Sequence, residues 1–171
     1  MYQLLRAVSH LLPLPFPAKL WLKSLALRLL PIGRLWVVLR RMPKRAVCAE
    51  LGVWKGDFSQ EILRVTRPRR LHLIDPWHCE EGEEYKDEPY GAAKGSQASL
   101  DGMHKDVHTR FRSEIARGIV TIHRETSAEA ADRFPIEYFG WIYIDGNHSY
   151  DFIKADLQIY MPNVVPGGYI A

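Results

Sequence analysis

Short apolar runs alternate along residues 46–171 with segments whose apolar positions recur at helical spacing. The first run, "RAVCAELG", is short, apolar and closed by a glycine, which is typical of a buried strand. The next segment, "DFSQEILRVT", places Phe58, Ile62 and Val65 on one face of a helix. Because strands separated by helices favour a parallel sheet, the pattern predicts an α/β fold.

The same alternation continues to the end of the sequence. Further strands are predicted in "RLHLIDPW", "IVTIHRETS", "GWIYIDG" and the opening of "GGYIA". Helices are predicted in "VHTRFRSEIARG", which Gly118 closes, in "AEAADRF" and in "DFIKADLQIYM". Residues 78–104 are polar and acidic without clear periodicity, so we expect a long loop there.

The last predicted helix follows the fourth strand and has two unlike faces. We expect the buried face to hold Ile153, Leu157, Tyr160 and Met161. We expect Tyr150, Asp151 and Asp156 to lie at the start of the helix and on its surface.

Residues 1–45 differ from the rest, since they are rich in leucine and hold nine Lys or Arg without any Asp or Glu. Residues 46–171 hold fourteen basic and twenty acidic residues, a net charge of −6. We expect a helical extension divided at Pro31, which packs on the domain, lies in a membrane surface with Trp21 and Trp36 at the interface, or covers a substrate pocket. A nucleic-acid partner is not expected, because the basic segment is leucine-rich rather than polar.

The 171 residues suffice for one α/β domain with a core. Cys48 and Cys79 make neither a disulfide framework nor a metal knuckle, and Cys48 is expected in the core. The run from Leu20 to Leu39 contains charges and Pro31, so a membrane-spanning helix is not expected, and no secretory signal is convincing. We therefore expect a cytoplasmic protein, with peripheral membrane contact as the alternative.

Candidate chemistry concentrates where the predicted strands end, which is where open parallel sheets bind ligands. Gly52 and Gly56 separate the first strand from its helix, and Asp75 ends the next strand nineteen residues later. A carboxylate in that position can accept both hydroxyls of a ribose, so the combination predicts a nucleoside-containing cofactor. Trp54 replaces the middle glycine of the dinucleotide fingerprint, which disfavours NAD.

Four stretches resemble the class I S-adenosylmethionine (SAM)-dependent methyltransferases, which have a Rossmann-like open parallel sheet with flanking helices. They are "AELGVWKGDFS", "LHLIDPW", "IHRETSAEAADRF" and "YIDGNHSYDFIKADLQIYMPNVVPGGYI". The similarity extends over residues 46–171 and is greatest to the Asp-Gly-x-His subgroup, which includes macrocin-type O-methyltransferases and cephalosporin-hydroxylase-like proteins.

The resemblance implies a role for each residue at the strand ends. Glu50 would face the methionine amino group, Asp75 would hold the ribose hydroxyls, and Ser127 would contact the adenine. The implied cofactor-binding set is Glu50, Gly52, Val53, Trp54, Gly56, Asp75, Trp77 and Ser127.

The motif after the fourth strand contributes the implied catalytic residues. Asp145 would orient the acceptor hydroxyl or hold Mg²⁺, whose hard oxygen ligands suit a carboxylate. His148 is either a general base or a hydrogen-bonding residue of its loop. Relatives continue "GGYI" into an acidic pair and two further strands, so we expect a domain that is incomplete at its C-terminal end, without the metal partners of Asp145.

These observations favour a SAM-dependent methyltransferase that acts on a hydroxyl of a small-molecule or glycan-like acceptor. One alternative is a non-catalytic protein that binds SAM or a protein partner. Another is a nucleotide-binding oxidoreductase, which Trp54 and the Asp145–His148 motif disfavour. A homo-oligomer is compatible with the sequence and is left open.

Overall fold

The structure is a computed structural model, which describes residues 37–79, 90, 96–147 and 149–171. The chain divides into two compact units, residues 1–40 and residues 41–171. The helical extension predicted for residues 1–45 therefore lies almost entirely outside the described residues. Within the described part, no helix is long and apolar enough to cross a membrane.

Within the described residues of the second unit, five strands and five helices follow one another. The strands are β1 (Val47–Leu51), β2 (Arg70–Ile74), β3 (Val120–His123), β4 (Phe139–Ile144) and β5 (Val164–Ile170). The helices are α1 (Asp57–Thr66), α2 (Gln97–Arg110), α3 (Arg112–Ala116), α4 (Ser127–Ala131) and α5 (Tyr150–Tyr160), and a 3₁₀ turn, Met161–Asn163, follows α5.

All five strands are parallel and form one sheet in the order β3-β2-β1-β4-β5. This confirms the predicted open parallel sheet with flanking helices. The chain runs outward from β1 to β3, returns to the other side of β1 as β4 and ends as β5. Since the direction of the strand order changes between β1 and β4, the ligand crevice of such a sheet is expected at their carboxyl ends.

One face of the sheet packs on α4 and α5 through a cluster of apolar side chains. Alternate residues of β1 point to this face, as the two-residue period of a strand requires. The buried members are Val47, Ala49, Leu51, Ile74, Ala130, Ala131, Phe134, Phe139, Ile142 and Tyr160. Cys48 is fully buried, which confirms its predicted place in the core.

The loop expected over residues 78–104 is wrong for residues 97–104, because α2 begins at Gln97. Residues 80–89 and 91–95 of that loop lie outside the described residues. Ser96 caps this helix by accepting a hydrogen bond from the backbone N–H of Ser99. Only Leu100 and Val107 of α2 are buried, seven residues apart, which is too sparse a pattern to stand out in the sequence. The segment predicted as one helix is divided at Phe111 into α2 and α3.

Helix α5 also departs from the expected pattern of burial. Tyr150 begins the helix and is exposed, as predicted. Asp156 was expected on the surface, but the side chain is 9% exposed and contacts α4. Met161 was expected to be buried, but it lies in the 3₁₀ turn after the helix and is 64% exposed. Met161 therefore does not continue the buried face of the helix, to which Tyr160 belongs.

A chain of hydrogen-bonded polar groups runs through the aromatic part of this core. His72 Nδ1 lies 2.9 Å from His123 Nε2, and His72 Nε2 lies 3.2 Å from the hydroxyl of Tyr138. His72 is 5% exposed, and the ring of Phe134 meets it edge-on. Burial, followed by the charges of His123 and Arg70, lowers the pKa of His72 to about 4 from an ordinary 6.5. His72 is therefore neutral in the folded protein at neutral pH.

We expect His72 to make the protein less stable in acid. The folded state binds fewer protons at His72 than the unfolded chain does, so the stabilisation is complete above pH 6.5 and is lost as the pH falls towards about 4. In urea titrations from pH 7 to pH 4.5, His72→Gln should reduce this loss by about 2 kcal/mol relative to the unchanged protein. His78→Gln, the same substitution at an exposed histidine, is the matched control for the loss of an imidazole.

Candidate cofactor and methyl-transfer site

The carboxyl ends of β1, β2 and β4 lie side by side and bring three predicted site segments together. Leu51 pairs in register with Ile74 of β2 and with Ile144 of β4. The residues that follow these three are Gly52, Asp75 and Asp145, so they leave the sheet at the same level. Glu50, which is also buried, precedes Leu51 in β1.

Gly52 makes a close backbone contact with the loop that follows β4. Its φ is +87°, a left-handed value that favours glycine. A Cβ atom at this position would lie 2.5 Å from the carbonyl oxygen of Asp145 and 2.7 Å from the backbone nitrogen of Gly146. The backbone N–H of Asp145 donates to the carbonyl of Leu51 at 2.7 Å. The β1 loop and the β4 loop are therefore packed backbone against backbone.

Asp75 organises the β1 loop through its carboxylate, which is 1% exposed. Oδ2 accepts hydrogen bonds from the backbone N–H of Val53 at 2.8 Å and of Trp54 at 2.9 Å. Oδ1 accepts the backbone N–H of Trp77 at 2.8 Å, and the hydroxyl of Tyr90 donates to Oδ2 at 2.6 Å. Four donors thus converge on one buried carboxylate, which compensates for its removal from water.

Two tryptophans hold the loops after β1 and β2 in place. Trp54 and Trp77 have φ values of +54° and +40°, so both adopt the left-handed conformation that side chains with a Cβ disfavour. The indole N–H of Trp77 donates to the carbonyl of Trp54 at 2.9 Å, and the Trp77 side chain is fully buried. Strained backbone of this kind persists where the surroundings fix it and is common at ligand sites.

Glu50 is buried beside β2 and α1, with 1% of its surface exposed. Its Oε2 accepts a hydrogen bond from the hydroxyl of Ser59, on the first turn of α1, at 2.5 Å. Burial raises the pKa of Glu50 well above its usual range, the Ser59 hydrogen bond opposes this, and the charges of Asp145 and Asp75 raise it further. The end of β1 is therefore an acidic site that a nearby cation would stabilise.

Gly56 begins α1 and has a left-handed φ of +76°. A Cβ atom there would lie 2.8 Å from the ring of Phe111, which follows α2. The structure thus gives Gly56 a reason in helix capping and in packing. Its expected role beside a ligand stays a prediction.

Ser127 begins α4 and lies beyond the end of β3, next to α5. Its hydroxyl donates to Oδ1 of Asp156 at 2.5 Å, and its carbonyl accepts the hydroxyl of Tyr160 at 2.7 Å. Burial raises the pKa of Asp156, and the Ser127 hydrogen bond opposes that rise. Ser127 therefore joins α4 to α5 in this structure, and its predicted contact with an adenine stays a prediction.

Asp145 is exposed at the end of β4, and Tyr143, two residues before it, pairs in register with Glu50. Burial and the charges of Asp145 and Glu50 raise the pKa of the Tyr143 hydroxyl to about 12. His148 lies outside the described residues. Among the residues that are described, no three His, Cys, Asp or Glu side chains form a group that could hold a metal ion. The Mg²⁺ site expected at Asp145 is thus without a described set of ligands.

A cavity of about 570 Å³ lies beside these strand ends, between the loops that follow β2 and β3. Pro76 and Thr126, which adjoin the predicted site residues Asp75 and Ser127, both contribute to its lining. The full lining is Pro76, His78, Gln97, Asp101, Arg124, Glu125, Thr126 and Glu129. Most of its polar groups are acceptors or paired charges, which suits an uncharged ring with N–H donors better than a phosphate.

The sequence interpretation missed three hydroxyls in this region, those of Tyr90, Ser59 and Tyr143. Ser59 was detectable in principle, since it lies on the first turn of the helix that follows the glycine loop. Tyr143 was detectable from its register opposite Glu50 once β4 had been paired with β1. Tyr90 carried no periodic signal, because it lies in the polar segment between β2 and α2.

Comparisons with known proteins identify a family for this sequence. A family model described as "Methyltransferase domain" matches residues 49–171. A search of curated proteins gave no match.

Three solved structures share the fold at low sequence identity. A protein of Corynebacterium glutamicum from a structural genomics programme is 14% identical, with a TM-score of 0.53 over 80% of this chain and 55% of its own. Precorrin 8W decarboxylase of Methanobacterium thermoautotrophicum is 17% identical, with a TM-score of 0.53 over 82% and 60%. The Trypanosoma brucei PRMT1 enzyme–prozyme complex with AdoHcy is 13% identical, with a TM-score of 0.54 over 82% and 37%. The chain thus spans between about a third and three fifths of the length of these relatives.

Proposed function

The chain belongs to the methyltransferase domain family, and we propose that it binds SAM at the ends of β1 and β2 and transfers the methyl group to a hydroxyl of a small-molecule or glycan-like acceptor. The observation that carries this proposal is the environment of Asp75. Its carboxylate is buried, is oriented by three backbone N–H groups and accepts a further hydroxyl. A ribose offers the same type of donor, twice over.

Glu50 supports the other half of the cofactor site. A buried carboxyl group whose pKa is raised by burial and by two neighbouring acids is the kind of partner that an amino group would return to its charged form. The SAM amino acid carries such an ammonium group. Glu50, with Ser59 holding one of its oxygens, is therefore assigned to the methionine end and Asp75 to the ribose.

When bound, SAM supplies a methyl group on a positively charged sulfur. An acceptor oxygen forms the new bond to this carbon as the carbon–sulfur bond breaks, and the hydroxyl proton passes to a base. Asp145 is exposed at the end of β4 and is assigned to orient the acceptor hydroxyl. His148 is a candidate for this base, with a hydrogen-bonding role in its own loop as the alternative. With alignment of oxygen, carbon and sulfur, positioning contributes much of the rate.

Further parts of the proposal rest on the sequence alone. Membership of the Asp-Gly-x-His subgroup and the choice of oxygen as the methylated atom rest on the motif that begins at Asp145. Contact of residues 1–45 with a membrane surface rests on their charge and leucine content. A homo-oligomer and Mg²⁺ assistance stay predictions, and no step of the proposed reaction uses a metal.

Titration calorimetry with S-adenosylhomocysteine (AdoHcy) and with NAD tests the cofactor assignment. We expect AdoHcy to bind and to raise the unfolding free energy by about 2.7 kcal/mol at 100 times its Kd, because it binds the folded state alone. NAD should leave stability unchanged, since Trp54 occupies the position where the dinucleotide fingerprint has its middle glycine. A response to NAD without one to AdoHcy would contradict the proposal and favour a nucleotide-binding oxidoreductase.

A further inference from the structure

The hydroxyl of Tyr90 occupies a place on Asp75 that the proposed cofactor also needs. It donates to Oδ2 of Asp75 at 2.6 Å. The Tyr90 ring meets the ring of Trp54 edge-on, with centroids 5.1 Å apart and planes at 63°. Tyr90 is therefore held in this position by a charge-assisted hydrogen bond and by an aromatic contact, both with predicted site residues.

The number of donors on Asp75 shows why this position matters. A carboxylate offers about four lone-pair sites, two on each oxygen. Oδ2 already accepts three donors, the N–H groups of Val53 and Trp54 and the Tyr90 hydroxyl, whereas Oδ1 accepts only the N–H of Trp77. Oδ1 has a lone pair left for one ribose hydroxyl, whereas Oδ2 has none while Tyr90 donates to it.

The four donors also differ in how easily they can leave. Val53, Trp54 and Trp77 donate through backbone N–H groups, whose positions follow from the loops and from the left-handed conformations of the two tryptophans. Tyr90 donates through a side chain, which can leave by rotation about its own bonds. Of the donors on Asp75, Tyr90 is thus the one that a ligand can replace without refolding a loop.

We propose that the Tyr90 hydroxyl competes with a ribose hydroxyl for Asp75, so that binding of an adenosine-containing cofactor displaces Tyr90 and Tyr90 sets the affinity. The inference rests on the proposed function, because it takes Asp75 as the ribose ligand. Displacement replaces one hydroxyl donor by another on the same carboxylate oxygen. It also separates the Tyr90 ring from Trp54, which leaves that edge of Trp54 open to the ligand.

The test is calorimetric titration of AdoHcy into the unchanged protein and into Tyr90→Phe. The variant keeps the ring and removes the competing hydroxyl, so its Kd for AdoHcy should be roughly tenfold lower, as expected for a hydrogen bond to a charged group that no longer has to be broken. Tyr169→Phe makes the same chemical change at a half-exposed tyrosine of β5 and should leave the Kd unchanged.

Displacement can be observed directly by ¹⁹F NMR of protein labelled with 3-fluorotyrosine. The chain has eight tyrosines, and the resonance that Tyr90→Phe removes belongs to Tyr90. It should shift on addition of AdoHcy to the unchanged protein. An equal or higher Kd for Tyr90→Phe, or a Tyr90 resonance that does not move while AdoHcy binds, would overturn this inference alone. If neither protein binds AdoHcy, the proposed function falls and takes the inference with it.

Discussion

Gly52→Ala is expected to lower the free energy of unfolding by about 3 kcal/mol. Two costs add at this position. A residue with a Cβ pays about 1–2 kcal/mol for a left-handed backbone, and Gly52 has a φ of +87°. The added methyl would also lie 2.5 Å from the carbonyl oxygen of Asp145, and this neighbour is backbone that cannot rotate away. Relieving the clash requires the β1 and β4 loops to separate.

Gly118→Ala is the matched control, because it separates the two costs. Gly118 has a similar left-handed φ of +69°, yet a Cβ atom there would meet nothing within 4 Å. Its replacement should cost about 1 kcal/mol, from the backbone conformation alone. Urea unfolding of both variants measures the difference. If the two substitutions cost the same, the close contact between Gly52 and the Asp145 backbone has been assigned too much weight.

Asp75→Asn is expected to weaken AdoHcy binding by at least about a hundredfold, since two hydrogen bonds to a charged acceptor are lost or reduced. An amide nitrogen in place of Oδ1 would face the N–H of Trp77, and one in place of Oδ2 would face the N–H groups of Val53 and Trp54. In either position the nitrogen cannot accept these hydrogen bonds. The loop should therefore also lose stability. Titrations are best done well below the melting temperature that the variant shows in a thermal scan.

Asp145→Asn provides the comparison that tests the division of roles. Asp145 is exposed and is assigned to the acceptor, so this substitution should change AdoHcy affinity less than about threefold while reducing methyl transfer. Asp106→Asn, at an exposed carboxylate of α2, is the control for loss of charge and should affect neither quantity. If Asp145→Asn weakens AdoHcy more than Asp75→Asn does, the assignment of Asp75 to the ribose and of Asp145 to the acceptor is wrong.

The sheet was predictable from the sequence because its strands are short apolar runs, each separated from the next by a helix or a polar segment. A carboxylate lies next to the end of each of β1, β2 and β4, at Glu50, Asp75 and Asp145, and parallel strands bring such ends to one edge. The boundaries of α1 also follow from the sequence, since Gly56 precedes it, Asp57 lies in its first turn and Arg64 in its last.

Helix α2 and the surroundings of Asp156 were not predictable in the same way. α2 buries only two side chains over fourteen residues, so we attribute its stability to capping by Ser96 and to its tertiary contacts. Asp156 resembles a surface residue until its hydrogen bond to Ser127 is known, and the two lie 29 positions apart in the chain. Periodicity reports on local environment and cannot reveal such a partner.

The partners of Asp75 illustrate the same limit within the site. The sequence identifies the carboxylate, because it follows a buried strand. It gives no sign that Tyr90, fifteen positions later in a segment without periodicity, donates to that carboxylate. Whether a side chain of the protein itself donates to a ligand-binding carboxylate depends on the conformation of the loops around it. The spacing of apolar residues in the sequence does not report that conformation.

The backbone contact between Gly52 and Asp145 makes the two halves of the proposed site mechanically dependent on each other. In the proposed assignment the β1 loop serves the cofactor and the β4 loop the acceptor. Their backbones are in direct contact, since a Cβ at Gly52 would lie 2.5 Å from the carbonyl oxygen of Asp145 and the N–H of Asp145 donates to the carbonyl of Leu51. A ligand that displaces one loop by a fraction of an ångström must carry the other with it. Under the proposed assignment we expect cofactor binding to alter the position of the Asp145 carboxylate, so the two substrates should bind with reciprocal effects on each other's affinity.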